Sequence, residues 1–227
     1  MPLGPRRRLG VAVTVAAIAL GLGMPAHSVG FGANFTYTNG SAEVEDTDDV
    51  FPDVDIDSDE FEVGFSFDTS LARDRLLNYR LNANFASIEQ DIDVLSTGFH
   101  IKGYGVALNQ VFGFGVYRSP HSRVFLGPAI HLGYGYFDDG DQGIDFEAHL
   151  ATAAIGPEVG INIHAGDNLT VSVSGFYRFG VVAQFFEEPF DSFGSDGILV
   201  GEQHRVGVTT TIFFRLGSDQ FAPPVSQ

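Results

Sequence analysis

The chain has no cysteine, no tryptophan and a single lysine, Lys102, in 227 residues. Without a thiol there is no disulfide framework, no thiolate nucleophile and no thiolate metal ligand. Positive charge is scarce too: 12 Lys and Arg stand against 29 Asp and Glu, for a formal net charge of −17. A surface of that sign repels phosphate, which excludes a nucleic-acid partner. Beyond residue 28 no apolar run approaches the roughly 20 residues that a membrane-spanning helix needs. No Gly-x-Ser-x-Gly elbow or phosphate-binding loop occurs, and the seven histidines are scattered. These absences predict a chain that is not an enzyme.

The chain opens on a basic stretch, MPLGPRRR, followed by an apolar stretch over 9–24 and the small-residue stretch Ala26-His27-Ser28. That order predicts a secretory signal peptide over residues 1–28. Its removal takes away three arginines and no acid, so the mature chain carries a formal charge of −20. Residues 217–227, ending in APPVSQ, are expected to form a periplasmic tail.

Charge and periodicity then divide the remainder in the same way. Twenty-three of the 29 carboxylates fall in four stretches, 43–60, 89–93, 138–147 and 187–202, and none of these holds a Lys or Arg. Between them lie short connections at 70–76, 118–123 and 164–168, which carry Arg73, Arg75, Arg118 and Arg123. Segments alternating large apolar with small or polar residues join the two kinds of connection. They predict eight strands at 30–39, 60–69, 77–90, 98–117, 123–137, 147–163, 169–185 and 203–216. In the first, Phe31, Ala33, Phe35 and Tyr37 share one face, and Gly30, Gly32, Asn34 and Thr36 share the other. The second face is too small and uncharged for a solvated surface, yet it suits the interior of a narrow barrel whose apolar face meets lipid. Residues 29–216 are therefore expected to form an all-β, eight-stranded, antiparallel, up-and-down transmembrane barrel with long acidic extracellular loops. In strand four the apolar parity changes between Ile101 and Tyr104, which predicts a bulge near Gly103 or at Asn109-Gln110.

In this pattern the chain resembles the small eight-stranded outer-membrane barrels, such as the OmpA transmembrane domain and OmpX. Its last strand, QHRVGVTTTIFFRL, is similar to the signal read by the barrel-assembly machinery, with Phe214 as the aromatic. The resemblance implies a bacterial outer-membrane location, a monomer, and contact with membrane lipid, lipopolysaccharide and that machinery.

Two groups of residues are candidate sites. Glu62, Arg80, Glu158, Arg178 and Arg205 fall on the inward parity, with Lys102 joining them if strand four is bulged. Charges inside a narrow barrel have to pair, because an isolated buried ion is costly, and Glu158 with Arg178 on neighbouring strands is the expected pair. The second group is Asp53, Asp55, Asp57 and Asp59, whose alternate spacing offers oxygen ligands for weak Ca²⁺ or Mg²⁺ binding. It is not an EF-hand loop, since Ser58 stands where that loop needs Gly and Gly64 where it needs Glu. No other cofactor is expected. The leading expectation is a non-enzymatic surface protein whose acidic loops contact cations, lipopolysaccharide or partners. A narrow OmpW-like transporter for small apolar molecules is the alternative, marked by an apolar inward patch of which Val182 and Phe176 are the visible hint. A lipid-modifying enzyme comes third and requires a His beside a Ser or acid at the outer rim.

Overall fold

A computed structural model describes residues 29–46, 54–69, 76–94, 97–119, 121–138, 147–166, 168–187 and 198–216. The expected signal peptide, the tail and Asp53 lie outside these residues. Eight strands follow one another: β1 (Val29–Asp46), β2 (Val54–Asp68), β3 (Leu77–Val94), β4 (Thr97–Arg118), β5 (Ser122–Asp138), β6 (Glu147–Ala165), β7 (Leu169–Glu187) and β8 (Ile198–Leu216). Each pairs antiparallel with the next and β8 closes on β1, so the sheet is an up-and-down barrel without edges.

The register fixes the barrel's geometry. Starting from Asn34 and stepping between paired residues, one passes Gly64, Asn84, Ala107, Gly133, Thr152, Val182 and Gly201 and returns to β1 at Val44. The circuit closes ten residues beyond its start, a stagger that tilts the strands by about 35–45° from the barrel axis. Eight strands at such a tilt enclose room for side chains but no open channel.

On the lower two thirds of the wall, alternation puts large apolar side chains outside. Phe31, Phe35, Phe65, Phe85, Phe114, Leu126, Ile155, Val208 and Phe214 are all exposed. On β3 the band runs from Leu77 to Phe85, close to the 9–11 residues of a tilted membrane strand. Aromatic pairs edge it at both ends: Phe31–Phe67 and Tyr79–Phe112 below, with ring centroids 5.1 and 5.2 Å apart, and Tyr104–Tyr136 above, at 5.6 Å. Three residues each separate β4 from β5 and β6 from β7, and between β6 and β7 Gly166 takes a φ of 78°, a left-handed conformation that favours glycine.

Three expectations need correction. The acidic stretches are in large part strand and not loop. Residues 43–46, 54–60 and 89–93 lie within β1, β2 and β3, and only residues 95–96 separate β3 from β4. Strand four has no bulge at Gly103 or Asn109-Gln110, because β3 and β4 pair in unbroken register from Leu77↔Phe114 to Val94↔Thr97. The irregularity instead lies between Gly115 and Tyr117 against β5, and it leaves Val116 and Tyr117 both exposed. With no bulge to turn it inward, Lys102 faces out and donates to Glu89 at 2.9 Å.

Two prolines interrupt the ladders at mid-wall. Pro128 and Pro157 face each other across β5 and β6, and neither has an N–H to give. Pairing accordingly skips from Val111↔Ala129 to Phe114↔Leu126 on one side and from Ile155↔Phe179 to Glu158↔Phe176 on the other.

Candidate functional site

The lumen is filled in three tiers. In the lowest, Arg80 of β3 reaches across the barrel. Its Nε donates to Asp68 at 3.1 Å, one terminal nitrogen to Ser172 of β7 at 2.9 Å and the other to Asn162 of β6 at 3.0 Å. The rings of Phe125 and Phe213 lie 5.0 and 4.8 Å from the guanidinium carbon, so cation–π contact adds to the ion pair. Asn78 donates to the same Asp68 oxygen at 3.1 Å, and Arg123 donates to Asn78 Oδ1 and the Leu76 carbonyl, both at 3.2 Å.

Asn109 organises the middle tier. Its Nδ2 donates to Glu62 at 3.0 Å, beside Asn84 Nδ2 at 2.6 Å on the same oxygen. Its Oδ1 accepts from Arg178 at 2.7 Å and faces His131 Nδ1 at 2.8 Å. The amide oxygen of Asn109 cannot donate, so the proton of that bond sits on His131 Nδ1. His131 Nε2 is then the acceptor for Thr152 at 3.1 Å and for Arg205. Arg178 also pairs with Glu158 at 3.2 Å, which takes a further bond from Ser174 at 2.8 Å, and Arg205 pairs with Glu60. Among the described buried residues, four carboxylates (Glu60, Glu62, Asp68 and Glu158) thus stand with four arginines (Arg80, Arg123, Arg178 and Arg205).

Above this tier the interior changes character. Val44, Val54, Ile56, Ile88, Ile92, Ile101, Phe137, Leu150, Val182 and Leu199 face inward and pack into one buried cluster. It is a largely apolar cap inside the acidic end of the barrel, crossed by a contact from Gln184 to Gln90 at 3.4 Å. A void near it, about 10 Å³ between Glu60, His131, Thr152 and Leu150, has room for about one water.

Outside the cap the wall is acidic, and the register stacks like charges across strands. Glu202, Glu43, Asp55 and Asp93 form one row over β8, β1, β2 and β3; Asp57 and Asp91 are opposite in the next, and Asp59 and Glu89 in the one below. Like charges directly opposite one another are destabilising unless countered. Lys102 pairs with Glu89, and His100 Nδ1 is within hydrogen-bond distance of Asp91 at 2.7 Å. Asp59 accepts from Tyr37 at 2.6 Å and Asn39 at 3.2 Å.

Each sequence-based candidate except Asp53, which lies outside the described residues, has a definite place in this geometry. Glu62, Arg80, Glu158, Arg178 and Arg205 all line the lumen, Arg80 in the lower tier and the rest in the middle one. Asp55, Asp57 and Asp59 point outward from alternate positions of β2. Among the described residues no group of three or more His, Asp or Glu is arranged to hold a metal ion. Sequence reasoning missed Glu60 and Asp68, whose parity matches that of Glu62 and Ser66, as well as Asn109 and His131. It also missed the cap, of which Val182 alone had been noted. The hint at Phe176 has another meaning, because that ring lies 3.7 Å from the Arg178 guanidinium carbon in the polar tier.

No family model matches the chain, and no curated protein matches it. Solved structures do. The outer membrane protein OprG from Pseudomonas aeruginosa superposes with a TM-score of 0.64, covering 86% of this chain and 99% of its own at 10% identity. The chain has the fold of a small eight-stranded outer-membrane barrel. Neisserial surface protein A covers 80% of this chain and 95% of its own at 16% identity and a TM-score of 0.32. The outer membrane protease OmpT from Escherichia coli covers 86% and 99% at 8% identity and 0.42. Of these three, the OprG likeness alone is close enough to bear on the fold, and at its low identity it bears on nothing else.

Proposed function

We propose that this outer-membrane barrel is a non-conducting, non-enzymatic, monomeric surface protein. In this reading its strands continue out of the bilayer as a stiff acidic stalk that recruits divalent cations and, through them, the phosphates of lipopolysaccharide. The observation that carries it is an inversion of polarity along the strands. In the membrane band the wall is apolar outside and ionic inside. Above it, β2 shows Asp55, Asp57 and Asp59 to the outside and Val54 and Ile56 to the inside. Residues 54–59 rise about 15 Å at ~3.4 Å per residue and the tilt given above. The exposed Phe214 at the end of β8 supports recognition by the assembly machinery.

The transporter reading is favoured by one observation, the apolar cap. Against it, the cap residues fill the space themselves, and both polar tiers lie beneath. Planar-bilayer recordings of the purified protein separate the two readings: the surface-protein reading expects no steady conductance, and discrete openings would overturn it. An enzymatic role would rest on His100 and Asp91, the His–acid pair at the outer rim. Hydrolysis of outer-leaflet lipid by wild type but not by a His100→Ala variant would establish that role.

Two further results are expected. Protease added to intact cells should cut within residues 47–53, which join strands at the acidic end, and spare 70–75 at the opposite end. The reverse pattern would invert the barrel. Millimolar Ca²⁺ should slow amide exchange at the outer ends of β1 to β3 more than NaCl of equal ionic strength, with affinity in the weak range of about 10⁻⁴–10⁻³ M. Changing Asp53, Asp55, Asp57 and Asp59 to Asn should remove the difference. If both salts act alike on wild type, the wall is screened and does not coordinate.

A further inference from the structure

The wall between β2 and β5 carries a groove of about 500 Å³ on its lipid-facing side. Phe65 and Phe85, the two most exposed large apolar residues, stand along one edge, and Leu132 and Tyr134 stand along the other. Ala83, Val106 and Leu108 lie between them, and Ala83 is the small residue that opens the space. The groove lies in the upper part of the apolar band. Followed outward along the same strands, it runs into charge: Asp59 and Asp57 above Phe61 on β2, and Glu89 and Asp91 above Ser87 on β3. Lys102 and His100 on β4 are each already paired with one of those acids. From Ala83 to Glu89 the distance along the strand is about 20 Å.

We infer that the groove with its acidic rim is a binding site for a cationic amphiphile, a single apolar chain ending in a positively charged head. The apolar chain would lie against Ala83 and Val106 between the two raised edges, and the head would reach Asp59, Glu89 and Asp91. An anionic head is disfavoured there, because every acid of the rim opposes it and Lys102 is already engaged by Glu89. This inference rests on the reading of the outer acidic wall as a surface for cations, and it adds the lipid-depth groove as a second determinant.

The test uses full-length protein in phosphatidylcholine nanodiscs, titrated with dodecylammonium, dodecanol and dodecyl sulfate and followed by native mass spectrometry. One saturable dodecylammonium is expected, bound at least tenfold tighter than dodecanol, with no saturable dodecyl sulfate. Ala83→Phe, which fills the groove, should abolish saturable binding, and the milder Ala83→Leu should weaken it; heat-modifiable migration on gels verifies that both variants fold. The triple change Asp57→Asn, Asp59→Asn and Asp91→Asn should remove the preference for ammonium over dodecanol. Equal binding of all three amphiphiles, or dodecylammonium binding that survives Ala83→Phe, would overturn the site. Ca²⁺ protection of the wall is measured on the same variants. If Ala83→Phe changes neither amphiphile binding nor Ca²⁺ protection, the groove inference fails while the acidic-wall reading stands; loss of Ca²⁺ selectivity in wild type sinks the wall reading itself.

Discussion

Replacing Arg80 with Ala should lower the stability of the barrel by about 3–5 kcal/mol, because it takes the guanidinium away from the buried carboxylate of Asp68. Arg80 is 1% exposed and Asp68 fully buried, so solvent does little to screen the loss. The same substitution cuts the contacts that tie β3 to β6 and β7 across the lumen and removes the cation held between Phe125 and Phe213. Urea unfolding in lipid vesicles, read by gel migration of the folded form, measures the effect. The double variant Asp68→Ala with Arg80→Ala separates charge from packing. If the stranded carboxylate dominates, the double variant should be more stable than Arg80→Ala alone; if it is less stable, the strut matters through packing. Glu158→Ala, which strands Arg178 in the same way, should lie in the same range. A loss within error at either site would show that water reaches the tier and hydrates the remaining charge.

All eight strands were legible in the sequence because a membrane band enforces alternation: one face of each strand meets lipid and the other a crowded interior. Five of the eight lumen charges among the described residues were legible for the same reason. Glu62, Arg80, Glu158, Arg178 and Arg205 share the parity of Gly, Ser and Asn, and the backbone allows no other direction for them. What alternation could not disclose is that the meaning of the two faces reverses above the membrane. On β3, Leu77 to Phe85 place their apolar residues at odd positions, and then Ala86, Ile88 and Ile92 place theirs at even ones. The backbone runs straight through that change, since the solvent outside changes from lipid to water and the strand does not. On β4 the same reversal between Ile101 and Tyr104 imitated a bulge. On β2 it imitated a cation loop, although Asp55, Asp57 and Asp59 at alternate positions are what the wet face of a strand looks like when Val54 and Ile56 are buried. The true irregularity, between Gly115 and Tyr117, gave no comparable signal because Val116 and Tyr117 are both compatible with lipid.

The reversal also makes the cap a separate packing unit, and Phe137 is the residue that tests this. Its side chain is fully buried in the cap, on β5 opposite Gly103 of β4. A Cβ at position 103 would lie 2.5 Å from the Tyr136 carbonyl oxygen and 2.6 Å from the Phe137 ring, so the absence of a side chain there admits both the neighbouring strand and the ring. Phe137→Ala should therefore cost about 3–5 kcal/mol, the usual range for emptying a large aromatic site in a packed core. The cap lies beyond the membrane band, whereas the arginine tiers lie within it, so the loss should be local. Hydrogen exchange should accelerate at the outer ends of β4, β5 and β8 while the amides flanking Arg80 and Arg178 keep their protection. Gly103→Ala, which crowds the ring instead of removing it, should loosen the same region. If exchange rises evenly from the cap down to β3 near Arg80, the barrel opens as one unit, and the change in polarity along its strands marks no boundary in its stability.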